Sequence, residues 1–257
     1  MRRVLGVLMR PRATMDEVAR NPAFITTWVL VLLAVVTCGG LLLSTEVGRQ
    51  ALVDERVRVS EALGQRVDDA EYGRLQAAPP VSVYLTSGGR LLLTPPVTLL
   101  AALGLLLLAR IDGAQPSFTA ALAIAVHASV VLALQQVIAT PFHYMQESLT
   151  SPTTVAGLLR MFDEGSWPAR LFGTIDVFGL WWMWLLSLGL AAAAGKPAPG
   201  DDAGLSTALG PTLSMSKGRG SPEQSRRARR YLWRLLAVYV SVAAIVAAVF
   251  ALLGAGN

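Results

Sequence analysis

The segment IDVFGLWWMWLLSLG, residues 175–189, followed by Leu190, four alanines and Gly195, decides how the rest of the chain is read. No charged side chain occurs from Val177 to Gly195. At ~1.5 Å per helical residue, that run crosses most of a ~30 Å hydrocarbon layer, which predicts a transmembrane helix over about 175–194. One carboxylate, Asp176, stands at its mouth, and Trp181, Trp182 and Trp184 lie in its first half.

Composition agrees with a membrane chain. Only 15% of the 257 residues are charged and 53% are hydrophobic, whereas a soluble domain carries about a quarter charged residues. The deficit is concentrated in five uncharged runs, which take up the residues a soluble core would need. A pI near 9.9 could signal nucleic acid, yet the positive charge clusters beside apolar runs, which favours lipid headgroups. The single cysteine, Cys38, lies inside the first run and supports no intrachain disulfide.

The predicted fold is all-α, a polytopic membrane helix bundle with five spans: about 24–43, 91–109, 118–140, 175–194 and 235–253. Residues 23–195 carry the first four. Pro95-Pro96 remove two backbone donors near the start of the second, predicting a kink or restart there, and VSVYL at 81–85 extends the same helix. Residues 1–22 read as a cytosolic amphipathic leader. Its Thr14-x-x-Glu17 spacing predicts a helix beginning after Thr14, with Met15 and Val18 on a membrane surface. Asn21-Pro22 then predicts the cap and first turn of span one.

After the first span, Val47, Leu52, Val57, Val59, Leu63 and Val67 recur at helical spacing among charged residues, predicting an amphipathic outside helix that ends near Gly73. A short apolar helix is expected over 155–162, interfacial or re-entrant because it is too short to span. Residues 196–224, rich in Gly, Ser, Pro and Ala, read as a disordered cytosolic linker. Residues 225–257 hold a basic collar and helix five. With the N-terminus inside, the inside segments hold 14 Lys/Arg against 6 acids (net +8) and the outside segments 8 against 11 (net −3). Positive charge stays inside, so the expected topology is N-in, C-out.

The prologue RPRATMDEV, the PSFTAALAIAVHAS opening of helix three and IDVFGLWWMWLLSLGL of helix four together resemble the bacterial Yip (Ypt-interacting-protein) family, with a Yip-one-type domain. The resemblance implies a five-helix membrane domain after a short cytosolic segment. It also implies an aspartate–phenylalanine–tryptophan pattern at the start of helix four, met here by Asp176, Phe178 and Trp181 or Trp182. The linker is longer than the family pattern. The association of eukaryotic relatives with Rab-type GTPases does not carry over, because the soluble extension they use has no counterpart here.

Asp176 reads either as a carboxylate gripping a partner helix or cation, or as an interfacial acid satisfied by water and backbone. His127 and Gln135, two helical turns apart, fall on one face with Gln136 beside them, and such groups in lipid must find interhelix partners. Phe178, Trp181 and Trp182 are candidate helix contacts. Arg226, Arg227, Arg229, Arg230 and Arg234 are candidate lipid-headgroup contacts, although the positive-inside rule accounts for them equally well. Two histidines with no acidic cluster give no metal site, and no catalytic or cofactor motif is present.

The expected protein is therefore a non-enzymatic, multi-pass protein of a bacterial cytoplasmic (inner) membrane. It acts as a scaffold or partner-binding module in membrane organisation or trafficking-like processes. Its partners are the lipid bilayer and other membrane proteins or a second copy, not nucleic acid. A small oligomeric permease or channel subunit is the alternative. An intramembrane enzyme would require Asp176 to converge with His127 or His143.

Overall fold

The structure, a computed structural model, describes residues 2–77, 81–155, 173, 175–195 and 221–254. Among the described residues, ten helices run in chain order: α1 (Arg2–Met9), α2 (Pro11–Arg20), α3 (Ile25–Ser44), α4 (Glu46–Ala62), α5 (Asp69–Gln76), α6 (Val81–Ile111), α7 (Phe118–Ala128), α8 (Val130–Met145), α9 (Val177–Ala194) and α10 (Pro222–Gly254). The one β-type pairing among the described residues is an isolated antiparallel bridge between Thr154 and Asp176.

Among the described residues, four segments are long and apolar enough to cross a membrane: Ile25–Ser44, Leu92–Ile111, Phe118–Met145 and Val177–Ala194. Leu33 on α3 and Leu92, Leu100 and Leu107 on α6 are 60–75% exposed, an apolar surface suited to lipid. The stretch 235–253 is helical as the later part of α10. The expected short helix over 155–162 and the expected linker over 196–224 lie mostly outside the described residues.

Several local expectations are corrected. The leader holds two helices, not one. Pro11 occupies the first turn of α2, and Thr14 sits inside it with its hydroxyl bonded back to the Arg10 carbonyl at 3.0 Å. A proline whose missing N–H costs nothing at that position sets the start in place of the capping box. Asn21 terminates α2 rather than opening α3, which begins at Ile25. Helix α6 continues without interruption through Pro95-Pro96, so no restart occurs. The third span is divided at Ser129, whose hydroxyl takes the Ala125 carbonyl at 2.9 Å, a side-chain bond that competes with regular helix geometry. The amphipathic segment is also two helices. Gly64 at φ +79° lies in the left-handed region that ends α4, and Asp68 caps α5 through the Glu71 N–H.

The chain divides into two compact units. The first comprises Met1–Val29, Pro96–Val130 and Trp182–Leu236. Its centre is α7, buried at every residue from Ala120 to Ala128, and α2 packs upon it. Met15 and Val18 are fully buried there, which overturns their expected place on a membrane surface. An amphipathic stripe needs an apolar neighbour, and protein supplies it here. Arg3 fastens α1 to α2 through Glu17 at 3.0 Å and reaches the Asn21 carbonyl at 3.0 Å. Helix α9 meets α7 at Gly189, where a Cβ would come 2.5 Å from the Ile124 methyl.

The second unit comprises Leu30–Pro95, Val131–Trp181 and Ala237–Asn257. The turn from α3 into α4 is tight. Thr45 caps α4 through the Gly48 N–H at 3.0 Å, and a Cβ on Gly48 would meet the Leu42 carbonyl oxygen at 2.0 Å. Only glycine fits that approach. Tyr72 on α5 and Gln50 on α4 both donate to Asp54, holding the two short helices together.

Candidate functional site

Asp176 is the hub of the second unit. It precedes α9 as its N-cap, with Oδ1 accepting the N–H of Phe178 at 2.8 Å and of Gly179 at 3.1 Å. Those donors are two of the four that any helix start leaves without an intrahelical partner. The other oxygen, Oδ2, accepts from the Gln135 amide at 2.8 Å, from Ser151 at 3.3 Å and from the Thr153 hydroxyl in a short bond. Two backbone bonds, Val155 N–H to Ile175 O at 2.8 Å and Val177 N–H to Thr153 O at 3.2 Å, lace the 151–155 strand-like segment to the same point. The backbone of Asp176 also hydrogen-bonds the Tyr239 hydroxyl of α10.

Asp176 thus ties together four elements: its carboxylate joins the start of α9, helix α8 and the 151–155 segment, and its backbone joins α10. Its two oxygens accept five donors, which fills the roughly four lone-pair sites of a carboxylate with one contact shared. Such a group holds helices in register. Ser151 and Thr153 escaped the sequence reading, because nothing local marks a Ser-Pro-Thr-Thr stretch as the partner of a carboxylate more than twenty residues on.

The other candidates fall elsewhere. His127, fully buried in the first unit, pairs its Nε2 with Thr27 Oγ1 at 3.2 Å and its Nδ1 with the Ala123 carbonyl at 2.8 Å. Nδ1, facing a carbonyl, therefore carries a proton. Gln135 belongs to the second unit and His127 to the first. Gln136 accepts the Thr140 hydroxyl through its backbone carbonyl. His143 sets its Nδ1 against the Ser148 carbonyl at 2.9 Å. Phe178 and Trp181 stack with ring centroids 6.3 Å apart, and the buried Trp182 indole N–H has no partner among the described residues. No group of three or more His, Cys, Asp or Glu converges among the described residues.

The basic collar forms the first three turns of α10. Arg227 pairs with Glu223 and donates to the Ala194 carbonyl, the last of α9, at 3.1 Å. Arg234 reaches Asp112 at 2.7 Å and Arg230 approaches it at 3.9 Å. Burial raises the Tyr231 hydroxyl above its ordinary value, and Asp112, to which it is hydrogen-bonded, raises it further. Arg226 and Arg229 are exposed.

The Yip1 domain matches residues 5–216, from within α1 through α9 and ending before α10. No curated protein and no solved structure matches the chain. Yip1 domain proteins are multi-pass membrane proteins linked to vesicle trafficking and generally non-enzymatic. With an all-helical fold, four segments long and apolar enough to cross a membrane among the described residues, and a match over most of its length, this protein belongs to the Yip1 domain family.

Proposed function

We propose that the chain is a scaffold or partner-binding module with five spans, 24–43, 91–109, 118–140, 175–194 and 235–253, in a bacterial cytoplasmic membrane. The leader over 1–22, the linker over 196–224 and the collar after it face the cytosol, and the C-terminus lies outside. The observation that carries the scaffold role is the saturation of Asp176: its donors are all internal, so the polar chemistry of the span serves assembly. The topology draws support from charge. The inside segments hold 14 Lys/Arg against 6 acids and the outside segments 8 against 11, so positive charge stays inside. Phe178, Trp181 and Trp182 are the contacts proposed for helix partners, and the collar arginines those for headgroups.

The test is photocrosslinking in native membranes from Leu180, which is 36% exposed on α9. A scaffold yields discrete protein adducts, either of a second copy or of another membrane protein. Adducts to lipid alone, from both Leu180 and Val177, would overturn the reading. Labelling of single cysteines placed at Ala13 and after Leu253, in a chain lacking Cys38, separates the topology from the role. Protection of both from the same side sinks C-out and leaves the scaffold to be judged by the adducts.

A further inference from the structure

Within the first unit, α2, α9 and α10 enclose a cleft whose walls differ in chemistry. Trp184 and Leu188 of α9 and Leu232 of α10 make its floor. Ser187 also lines it, but its hydroxyl is taken by the Trp184 carbonyl at 2.7 Å, so the floor stays apolar. Arg12 and Arg229 stand on the lining, and both are exposed. The one acid there, Asp16, is engaged by the Gln224 amide at 2.6 Å.

What sets the two arginines apart is that both line one cleft. Arg3, Arg227, Arg230 and Arg234 are matched with Glu17, Glu223 and Asp112. Arg12 and Arg229 take no ion pair among the described residues, yet they share a cleft. The height of the site follows from Arg227, two residues before Arg229, which is bonded to the final carbonyl of α9. Leu188 lies six residues and Trp184 ten residues before that end, roughly 9 and 15 Å deeper along the helix. The arginines therefore lie near the end of the spanning helix while the floor descends to acyl-chain depth.

We propose that this cleft binds a single phospholipid of the adjacent leaflet, an anionic one in preference, with its phosphate between Arg12 and Arg229 and an acyl chain along Trp184, Leu188 and Leu232. Guanidinium groups suit phosphate because their planar donors match its oxygens. Basic clefts between membrane helices take headgroups by the same chemistry. The assignment depends on the chain lying in a bilayer and neither on the scaffold role nor on which side the N-terminus faces.

The full chain, purified in detergent, is titrated with phosphatidylglycerol and with phosphatidylcholine, and bound lipids are counted by native mass spectrometry. One phosphatidylglycerol is expected to bind at least tenfold tighter than any later lipid and tighter than phosphatidylcholine. Replacing both arginines (Arg12→Gln with Arg229→Gln) lowers that affinity on the order of 25-fold, about fivefold per lost charge. The pair Arg2→Gln with Arg110→Gln, exposed arginines of the same unit away from the cleft lining, leaves it within about twofold. Leu188→Trp fills the floor with both charges intact and abolishes the tight site, so a misfolded arginine variant does not shelter the proposal. Equal losses in the two arginine pairs, or undiminished binding in Leu188→Trp, would overturn it. Displacement of the lipid by glycerol phosphate at matching affinity would assign the site to a soluble phosphate instead and refute the lipid.

Discussion

The side-chain amide of Gln135 donates to Oδ2 of Asp176 across 2.8 Å, linking residues 41 positions apart. The same carboxylate caps α9 with its other oxygen. A single side chain thus starts one helix and pins it to another, and the two roles use different atoms.

That division makes Asp176→Ala and Asp176→Asn informative together. Alanine loses the cap, worth about 1 kcal/mol, and strands the Gln135 and Thr153 donors at about 1–3 kcal/mol more. Asparagine keeps a carbonyl for the cap, but its amide group then faces donors with a donor. We expect both variants to melt lower in detergent, alanine by roughly 5–10 °C, with Gln135→Ala the mildest of the three. An asparagine variant that melts like the wild type would show that Oδ2 and its partners add nothing to stability.

Gly189 supplies a second test. Its Cβ position lies 2.5 Å from Ile124 Cγ2 and 3.0 Å from Cγ1, atoms of a β-branched side chain that has little room to turn away in a buried helix. Gly189→Ala should cost about 1–3 kcal/mol by overpacking, despite the gain in helix propensity. Ile124→Ala removes both clashing carbons, so the double variant should be more stable than the two single losses predict, by about 1 kcal/mol. Additive losses in a thermal-melt cycle would contradict a direct contact between these helices.

The spans were legible because a missing charge over about twenty residues has one physical meaning in a helix. Sequence could not decide what an amphipathic stripe faces. Met15 and Val18 fit a lipid surface as well as a protein one, and it is α7 that covers them. Local rules also competed: Thr14-x-x-Glu17 satisfies the capping pattern, yet Pro11 in the first turn fixes where α2 begins. The polar partners were beyond reach. Thr27 lies 100 residues from His127, and Gln135 chose Asp176 over the histidine on its own helical face. Helical spacing places residues on a face, but the break at Ser129 gives that face two neighbourhoods.

Alkaline stability tests the junction of α10 with the α6–α7 loop. Tyr231 is almost wholly buried and hydrogen-bonded to Asp112, itself paired with Arg234 at 2.7 Å. Burial first, and the Asp112 charge second, raise the phenol above its ordinary value. The folded chain therefore holds this proton more tightly than the unfolded chain does. The resulting stability is complete below the unfolded value of about 10 and is lost as pH rises through the folded value. Wild-type protein should lose melting temperature above about pH 10 more steeply than Tyr231→Phe, which has no proton to release. The margin between the two, favouring wild type near neutral pH, should shrink as alkalinity increases. Asp112→Asn lowers the phenol toward its ordinary value and should flatten the same decline. Parallel alkaline curves for wild type and Tyr231→Phe would place the loss at other groups and break the link between this tyrosine and the loop.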